Sequence, residues 1–335
     1  MKERVRIVDI AEELGVSTAT VSNVIHGKTK KISDRTVKRV QELLEERQYI
    51  PSMAGILLSQ NNSRIIGVVV NDHIKYEGKV LEDAFVAASL NALLFELEKS
   101  EYFMMVKATT EWNEIIRFAS MWNMDGLVLI GFCESDYEKL RDKMHIPFVV
   151  YDGFFEENKR ICNLIIDNYD GGRQVGDYLH RMGHRRILCV SDNNICVDKD
   201  RMDGCRAGAR DSVVDYLEVP MSKEERLRFY ERHLAYIREY TAVFVMSDVY
   251  AVELLYFLQE NHVSVPGDIS VVGFDNTVLS QSCYPSLTTV GQDARERAAA
   301  AVGALRELRE GKCEHPVRNL AVKLIIRDSV KEMAI

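Results

Sequence analysis

The chain has 335 residues, 47% of them apolar, enough for two or three domains with their own cores and too many for a single small module. Its formal net charge of −8 argues against a uniformly basic nucleic-acid binder. The charge is uneven, however: residues 1–64 hold 11 Lys and Arg against 8 Asp and Glu, and the rest holds 32 against 43, so a mildly cationic head precedes an acidic body.

In chain order, Ile7, Ile10, Ala11 and Leu14 recur at helical spacing until Gly15 breaks the pattern. Ser17 is a good N-cap for a second helix that carries Val21, Val24 and Ile25 on one face. Ser33 caps a third, with Val37, Val40, Leu43 and Leu44 inward. Helix, glycine turn, helix is the arrangement that lets a second helix enter a DNA major groove. Packing the apolar faces together leaves Thr18, Ala19, Thr20, Ser22 and Asn23 outward, small side chains suited to base edges and phosphates. Tyr49-Ile50-Pro51 then interrupts the helical pattern, a short segment Ser52–Leu58 follows, and Gln60-Asn61-Asn62-Ser63 reads as a polar linker.

From Arg64 the pattern alternates between strand and helix. Strands are expected at 65–70, 102–107, 126–130 and 147–151, with helices over 81–99, 112–122 and 137–144. A second cycle follows: strands at 163–166, 186–190, 213–219, 242–245 and 269–274, with helices over 171–182, 201–212, 223–239 and 251–261. Thr288-Thr289-Val290, a helix over 293–309 and a strand over 320–326 end the series. Continuous apolar strands separated by amphipathic helices imply parallel sheets covered on both faces, with binding crevices at the strands' carboxyl ends.

The run A-x-x-L-G-V-S-x-A-T-V-S-x-V from Ala11 to Val24, followed by Y-I-P before another short helix, resembles the lac repressor (LacI/GalR-type) family of bacterial transcription regulators. The likeness continues through Asp167-Asn168-Tyr169, Met182-Gly183-His184-Arg185-Arg186-Ile187, Arg201-Met202-Asp203-Gly204, Val265-Pro266-Gly267-Asp268 and Pro285-Ser286-Leu287-Thr288-Thr289-Val290. It implies an α-helical helix-turn-helix head plus an α/β two-lobed periplasmic-binding-protein-like core with parallel sheets. The implied domains are 1–50 (DNA-binding), 51–63 (hinge helix and linker) and 64–335 (effector-binding and dimerisation core). Within that core the first lobe covers about 64–161 plus 291–324, and the second 162–290 plus 325–335. Candidate DNA contacts are Ser17, Thr18, Ala19, Thr20, Ser22, Asn23 and His26, with Leu58 of the hinge as the wedge that kinks the duplex from the minor groove. Gly55 stands where the family usually has alanine, costing about 1 kcal/mol of helix stability. Candidate effector contacts are Asn71, Tyr76, Phe85, Arg201, Ser247 and Asp275. Between Asp72 and Phe85 the loop is about eight residues longer than the family norm.

Other constellations are weaker. His180 and His184 sit at i, i+4, but His184 lies past a helix end and has no Cys or carboxylate beside it, so no metal site is expected. Gly171-Gly172 lacks the spacing of a phosphate loop and reads as close helix packing. No G-x-S-x-G, paired catalytic carboxylate motif or H-E-x-x-H is present, and neither an enzyme nor a cofactor is expected. The seven cysteines, Cys133, Cys162, Cys189, Cys196, Cys205, Cys283 and Cys313, form no C-x-x-C pair and suit reduced thiols. MKERVRI carries no apolar signal region, no apolar run is long enough to span a bilayer, and a cytoplasmic location is expected. The tail after the last strand is too short for several apolar heptads, so a homodimer without a coiled coil is expected. The expected function is a ligand-responsive, sequence-specific DNA-binding transcription regulator, a repressor of a carbohydrate-utilisation operon, acting on double-stranded operator DNA. Its effector is a small polar molecule, a sugar or sugar derivative first and a nucleobase second. The competing functions are a solute-binding protein of a transport system, which would lack a DNA-binding head, and a sugar-phosphate enzyme.

Overall fold

The structure, a computed structural model, describes residues 5–25, 27–49, 63–132, 143–153, 160–313 and 316–333. His26, the hinge segment 51–62 with Gly55 and Leu58, Cys133 and most of the helix expected over 137–144 lie outside the described residues. The chain divides into two compact units, Met1–Ser63 and Arg64–Ile335.

Among the described residues of the first unit, three helices pack together: α1 (Ile7–Leu14), α2 (Thr18–Ile25) and α3 (Asp34–Glu46). α1 stops because Gly15 turns left-handed at φ 67, which lets the N–H groups of Gly15 and Val16 bond the carbonyls of Glu12 and Ala11. Ser17 accepts the Thr20 N–H at 3.1 Å and Ser33 accepts that of Thr36 at 3.3 Å, each satisfying an orphan donor at a helix start. Ile10, Ala11, Val21, Val24, Val40 and Leu43 are buried together, on the faces their spacing predicts. Arg47 grips both oxygens of Glu13 at 2.9 and 2.7 Å and ties α3 to α1.

The second unit holds two six-stranded sheets. The first runs β2 (Phe103–Ala108), β1 (Ile65–Val70), β3 (Gly126–Ile130), β4 (Phe148–Tyr151), β5 (Ile161–Ile166) and β11 (Val317–Leu320) from edge to edge. The second runs β7 (Val213–Glu218), β6 (Arg186–Ser191), β8 (Ala242–Val245), β9 (Ser270–Asp275), β10 (Thr288–Gly291) and β12 (Lys323–Ile325). Every pairing is parallel except β10 with β12. Interior strands β1, β3, β4 and β8 are buried at every residue, while the edge strands β2 and β7 are partly exposed, as helices on both faces require.

The chain crosses between the lobes three times: after Ile166, after Gly291 and between Leu320 and Lys323. The first crossing comes later than the boundary expected at 161, because the apolar run Ile161–Ile166 continues the first sheet beside β4. The single strand expected over 320–326 is two strands in different sheets, joined through Ala321 and Val322. Helices Asn168–Arg181 and Cys196–Gly208 cross very closely on the second lobe. A methyl group on Gly172 would lie 1.9 Å from the Arg201 carbonyl oxygen, and one on Gly204 would lie 2.0 Å from that of Tyr169. The Gly171-Gly172 pair therefore serves backbone approach, and that approach seats the helix that carries Arg201. His184 is wholly buried, with Nδ1 3.0 Å from the Thr241 hydroxyl and Nε2 donating to the Lys331 carbonyl at 3.1 Å. It braces the core. No group of three or more His, Cys, Asp or Glu side chains among the described residues is placed to hold a metal ion.

Candidate functional site

On the head, Thr18, Ala19 and Asn23 form an exposed face of α2, with Ser17 exposed just before them. Thr20 and Ser22 are half-buried, and the Thr20 hydroxyl is engaged 2.9 Å from Ser17 Oγ. Capping therefore occupies Ser17 and Thr20, while the face of Thr18, Ala19 and Asn23 points to solvent.

In the core, the carboxyl ends of both sheets line one cavity of about 750 Å³, where the winding of open parallel sheets places a crevice. The first lobe supplies an aromatic wall. Phe85 enters from the first turn of the helix Ala84–Lys99, whose start Asp83 caps by accepting the N–H groups of Phe85 and Val86 at 3.0 Å. Phe132 follows β3 and packs 5.1 Å from the Trp112 ring, and Tyr151 ends β4. Tyr76 reaches the cavity from the long loop after β1 while its ring packs on the first-lobe core. The Tyr151 hydroxyl is buried without a hydrogen-bond partner, and burial pushes its pKa upward.

The second lobe supplies the arginines and most of the carboxylates. Arg201 is buried, its Nε donating to Asn168 Oδ1 at 2.8 Å and its Nη1 to the Met246 carbonyl at 2.6 Å, with Cζ 3.7 Å over the Phe274 ring. It lies in the second turn of its helix, which begins at Cys196 and not at Arg201 as the spacing suggested. Asp275 ends β9 with φ 116, a conformation that costs a non-glycine residue roughly 1–3 kcal/mol and that surrounding structure must hold. Its Oδ1 accepts from Gln292 Nε2 at 2.8 Å, and burial pushes the carboxyl up to about 8 against the pull of Arg201. Ser247 lines the cavity as the N-cap of the helix Asp248–Glu260, accepting the Tyr250 N–H at 3.4 Å.

Five of the six expected effector residues, Tyr76, Phe85, Arg201, Ser247 and Asp275, thus converge on one cavity from stretches far apart in sequence. Asn71 does not line it. Its side-chain amide donates to the Gly131 carbonyl at 2.9 Å and braces the ends of β1 and β3 instead. Sequence reasoning missed Asp152, Asp192, Asp198, Tyr250 and Gln292, all cavity-lining. Asp152 and Asp192 were within reach of it, since each is the first residue after a parallel strand, where side chains are delivered to the crevice. Asp192 accepts from the Tyr250 hydroxyl at 2.8 Å and from Asn193 at 2.6 Å, and burial raises the pKa of its neighbour Asp198. Gln292 sits on the second crossing and joins the lobes. It donates to Asp275, while its Oε1 accepts from Arg297 Nη1 at 2.7 Å, and Arg297 Nη2 donates to Asp152 at 2.6 Å. Such a set of acceptors, forked donors and flat apolar faces can hold a small polar ring, and nothing in it forms a nucleophile–base pair.

Comparison with known proteins agrees with this geometry. Residues 6–52 match the model for bacterial regulatory proteins of the lacI family, and residues 177–330 match a periplasmic binding protein-like domain. The chain is 27% identical over 342 residues to the HTH-type transcriptional repressor PurR of Vibrio parahaemolyticus serotype O3:K6, covering 98% of this chain and 99% of that one. The lac repressor dimer bound to operator and the anti-inducer ONPF shares the fold with a TM-score of 0.84 at 22% identity, over 98% of this chain and 100% of that one. The transcriptional regulator CelR in complex with cellobiose matches with a TM-score of 0.69 at 22% identity, over 97% and 100%. With a lacI-family regulatory head over residues 6–52 followed by a periplasmic binding protein-like core, and with transcriptional repressors as its full-length relatives, the chain is a LacI-type DNA-binding transcription regulator.

Proposed function

We propose that the protein is a cytoplasmic, homodimeric repressor whose affinity for a near-palindromic operator changes when its cleft takes a small polyol, a sugar or sugar derivative. The observation that carries the effector class is the convergence of Arg201 and Asp275 opposite the Phe85 ring on one cavity. A guanidinium donates to ring and hydroxyl oxygens, a carboxyl group accepts hydroxyl protons, and an aromatic face covers the apolar side of a sugar ring. The cellobiose held by CelR, a protein of the same fold, supports that class. On DNA, Thr18, Ala19 and Asn23 are the proposed base readers, and Leu58 of the hinge the proposed minor-groove wedge. Lobe rearrangement on binding would then bias hinge formation and so couple the two sites.

The test has two arms. A gel shift against the protein's own promoter region should show specific binding, and Asn23→Ala should lower discrimination against random DNA by about 1–3 kcal/mol. Equal weakening on both DNAs would make Asn23 a backbone contact. A thermal-shift screen of sugars and nucleobases should find a sugar that stabilises the core by about 2.7 kcal/mol at 100-fold above its dissociation constant, and Asp275→Ala should remove that shift. A nucleobase hit with no sugar hit would replace the effector class and leave the DNA-binding reading standing.

A further inference from the structure

The loop between β1 and the helix Ala84–Lys99 is folded, and it crosses the cleft. It starts and ends on the first lobe, with Val80 buried in that lobe's core and Tyr76 packed against it. The first of its two 3-10 turns, Ile74–Tyr76, ends at Glu77 in a left-handed conformation with φ 51, followed by Gly78 with φ 76, before the second, Val80–Glu82. This tight reversal turns Glu77 away from its own lobe. Its Oε1 accepts the backbone N–H of Lys223 at 3.0 Å, on the other lobe.

Lys223 is the first residue of the helix Lys223–Ile237, where the N–H groups have no partner inside the helix and the helix dipole favours an anion. The residue in the capping position, Ser222, makes no cap bond of its own; its hydroxyl instead meets Glu77. Glu77 thus caps a helix of the opposite lobe. Two residues earlier, Lys75 projects into the cavity, where Asp192 and Asp198 stand at the carboxyl end of β6 and the start of the next helix. Burial opposes charge on Lys75, yet Tyr76 and the carboxylates of Asp192, Asp198 and Asp83 raise its pKa above the ordinary value. The Lys223 N–H and the Ser222 hydroxyl hold the Glu77 carboxyl below its own. Opposite charges two residues apart therefore each meet the opposite potential on the far lobe.

We propose that residues 72–83 form a strap that clasps the two lobes across the cleft, with Glu77 as a trans-lobe helix cap and Lys75 as a cation against the Asp192–Asp198 wall. Lobe closure is then partly built into the chain and does not await an effector. Any molecule entering the cleft meets Lys75 and must pass or lift the strap. The clasp does not depend on what the cleft binds or on whether the head binds DNA.

Hydrogen exchange on the full chain, without DNA or ligand, tests it. Glu77→Ala should speed exchange of residues 74–80 and of the 222–226 segment together, by 10-fold or more. Lys223→Pro deletes the accepted N–H, together with the lysine side chain, at a helix position that suits proline, and Ser222 already holds the extended conformation that proline demands of its predecessor. It should speed exchange of 74–80, by no more than Glu77→Ala because the Ser222 hydroxyl can still reach Glu77, and the double variant should go no further than Glu77→Ala alone. Lys223→Ala keeps the N–H and should leave exchange of 74–80 unchanged. Lys75→Glu should loosen the strap as well, and it covers the case in which Glu77→Ala does not fold. Unchanged exchange of 74–80 in Lys223→Pro, or additive effects of Glu77→Ala and Lys223→Pro, would overturn the clasp.

Discussion

The two lobes wind their sheets alike, with the first strand flanked by the second and third and the fourth and fifth following in order. They deliver different chemistry to the cavity between them. The first lobe brings rings at the ends of β3 and β4 and at the start of the helix Ala84–Lys99: Phe132, Tyr151 and Phe85. The second brings Asp192 after β6, Arg201 from the helix that follows, and Asp275 at the end of β9. Topology decides where a side chain is delivered, because the carboxyl ends of parallel strands open onto the crevice. Which chemistry arrives there depends on one or two residues per strand. One winding can thus make a mainly aromatic wall in one lobe and a mainly charged wall in the other, with Asp152 and Tyr250 among the exceptions.

The largest effect tests whether the two walls share a structural element. Each carries a buried, hydrogen-bonded arginine pair: Arg297 with Asp152 at 2.6 Å, and Arg226 with both oxygens of Glu253 at 2.6 and 3.0 Å. Arg297→Met and Arg226→Met should each lose about 3–5 kcal/mol in chemical denaturation, since each strands a carboxylate among buried groups. A loss below about 1 kcal/mol at Arg297 alone would mean that the aromatic wall stands without its ion pair.

The next effect separates the lobes. Gly172→Ala on the second lobe sets a methyl group 1.9 Å from the Arg201 carbonyl oxygen, and backbone cannot yield as a flexible side chain can. It should cost about 3 kcal/mol, at the upper end of overpacking, and weaken any ligand that depends on Arg201. Gly303→Ala, in the first-lobe helix Ala294–Glu310, meets only Arg318 Nη1 at 3.9 Å. Urea unfolding should find that variant unchanged or more stable by about 0.5–1 kcal/mol, the propensity gain of alanine over glycine. Equal losses would show that the two lobes pack their helices with the same tightness.

pH comes third. Burial holds the Asp275 carboxyl up to about 8, whereas the unfolded chain releases that proton near the ordinary carboxylate value of about 4. Between those values the folded state binds more protons, so stability falls as pH rises, by at most about 1.4 kcal/mol per pH unit. His184 is lowered to about 4 by burial and works in the opposite direction, costing stability as pH falls below about 6.5. Melting curves between about pH 6.5 and 8 should isolate Asp275, and Asp275→Asn should flatten the slope there. A slope that survives the substitution would assign it to another group.

Phe85→Leu is the smallest change. It keeps apolar volume and removes the flat face, so it should weaken a bound ring by about 0.5–1.5 kcal/mol in calorimetry and leave the melting temperature of the free protein almost unmoved. A comparable loss in free-protein stability would make Phe85 part of the core instead of the wall.

Much of this was readable before any coordinates. The head is local: Ile10, Val21 and Val40 come inward on helices whose starts and stops Ser17, Gly15 and Ser33 mark within a few residues. The alternation of buried strands and amphipathic helices made two covered parallel sheets legible, since periodicity is also a local property. Crossing points were harder. Ile161–Ile166 is a mostly apolar strand that suits either sheet, Val317–Leu320 is a short half-polar one, and only pairing with β4 and β5 assigns them to the first.

Sequence by itself determined the parts set by neighbours along the chain: helix faces, caps, strand runs and the motif order that marks the family. Tertiary structure alone decided the parts that depend on groups far apart in sequence. Asn71 turned to the Gly131 carbonyl, a choice available only once β1 and β3 lay side by side. Gln292 became a bridge between Asp275 and Arg297 because the second crossing passes between the lobes at that residue. Glu77 and Lys223, separated by 146 positions, met as a cap because the loop after β1 spans a cleft that exists only after both sheets have formed. A charge, a glycine or an amide has many possible partners along an unfolded chain, and the packing of two lobes leaves it one.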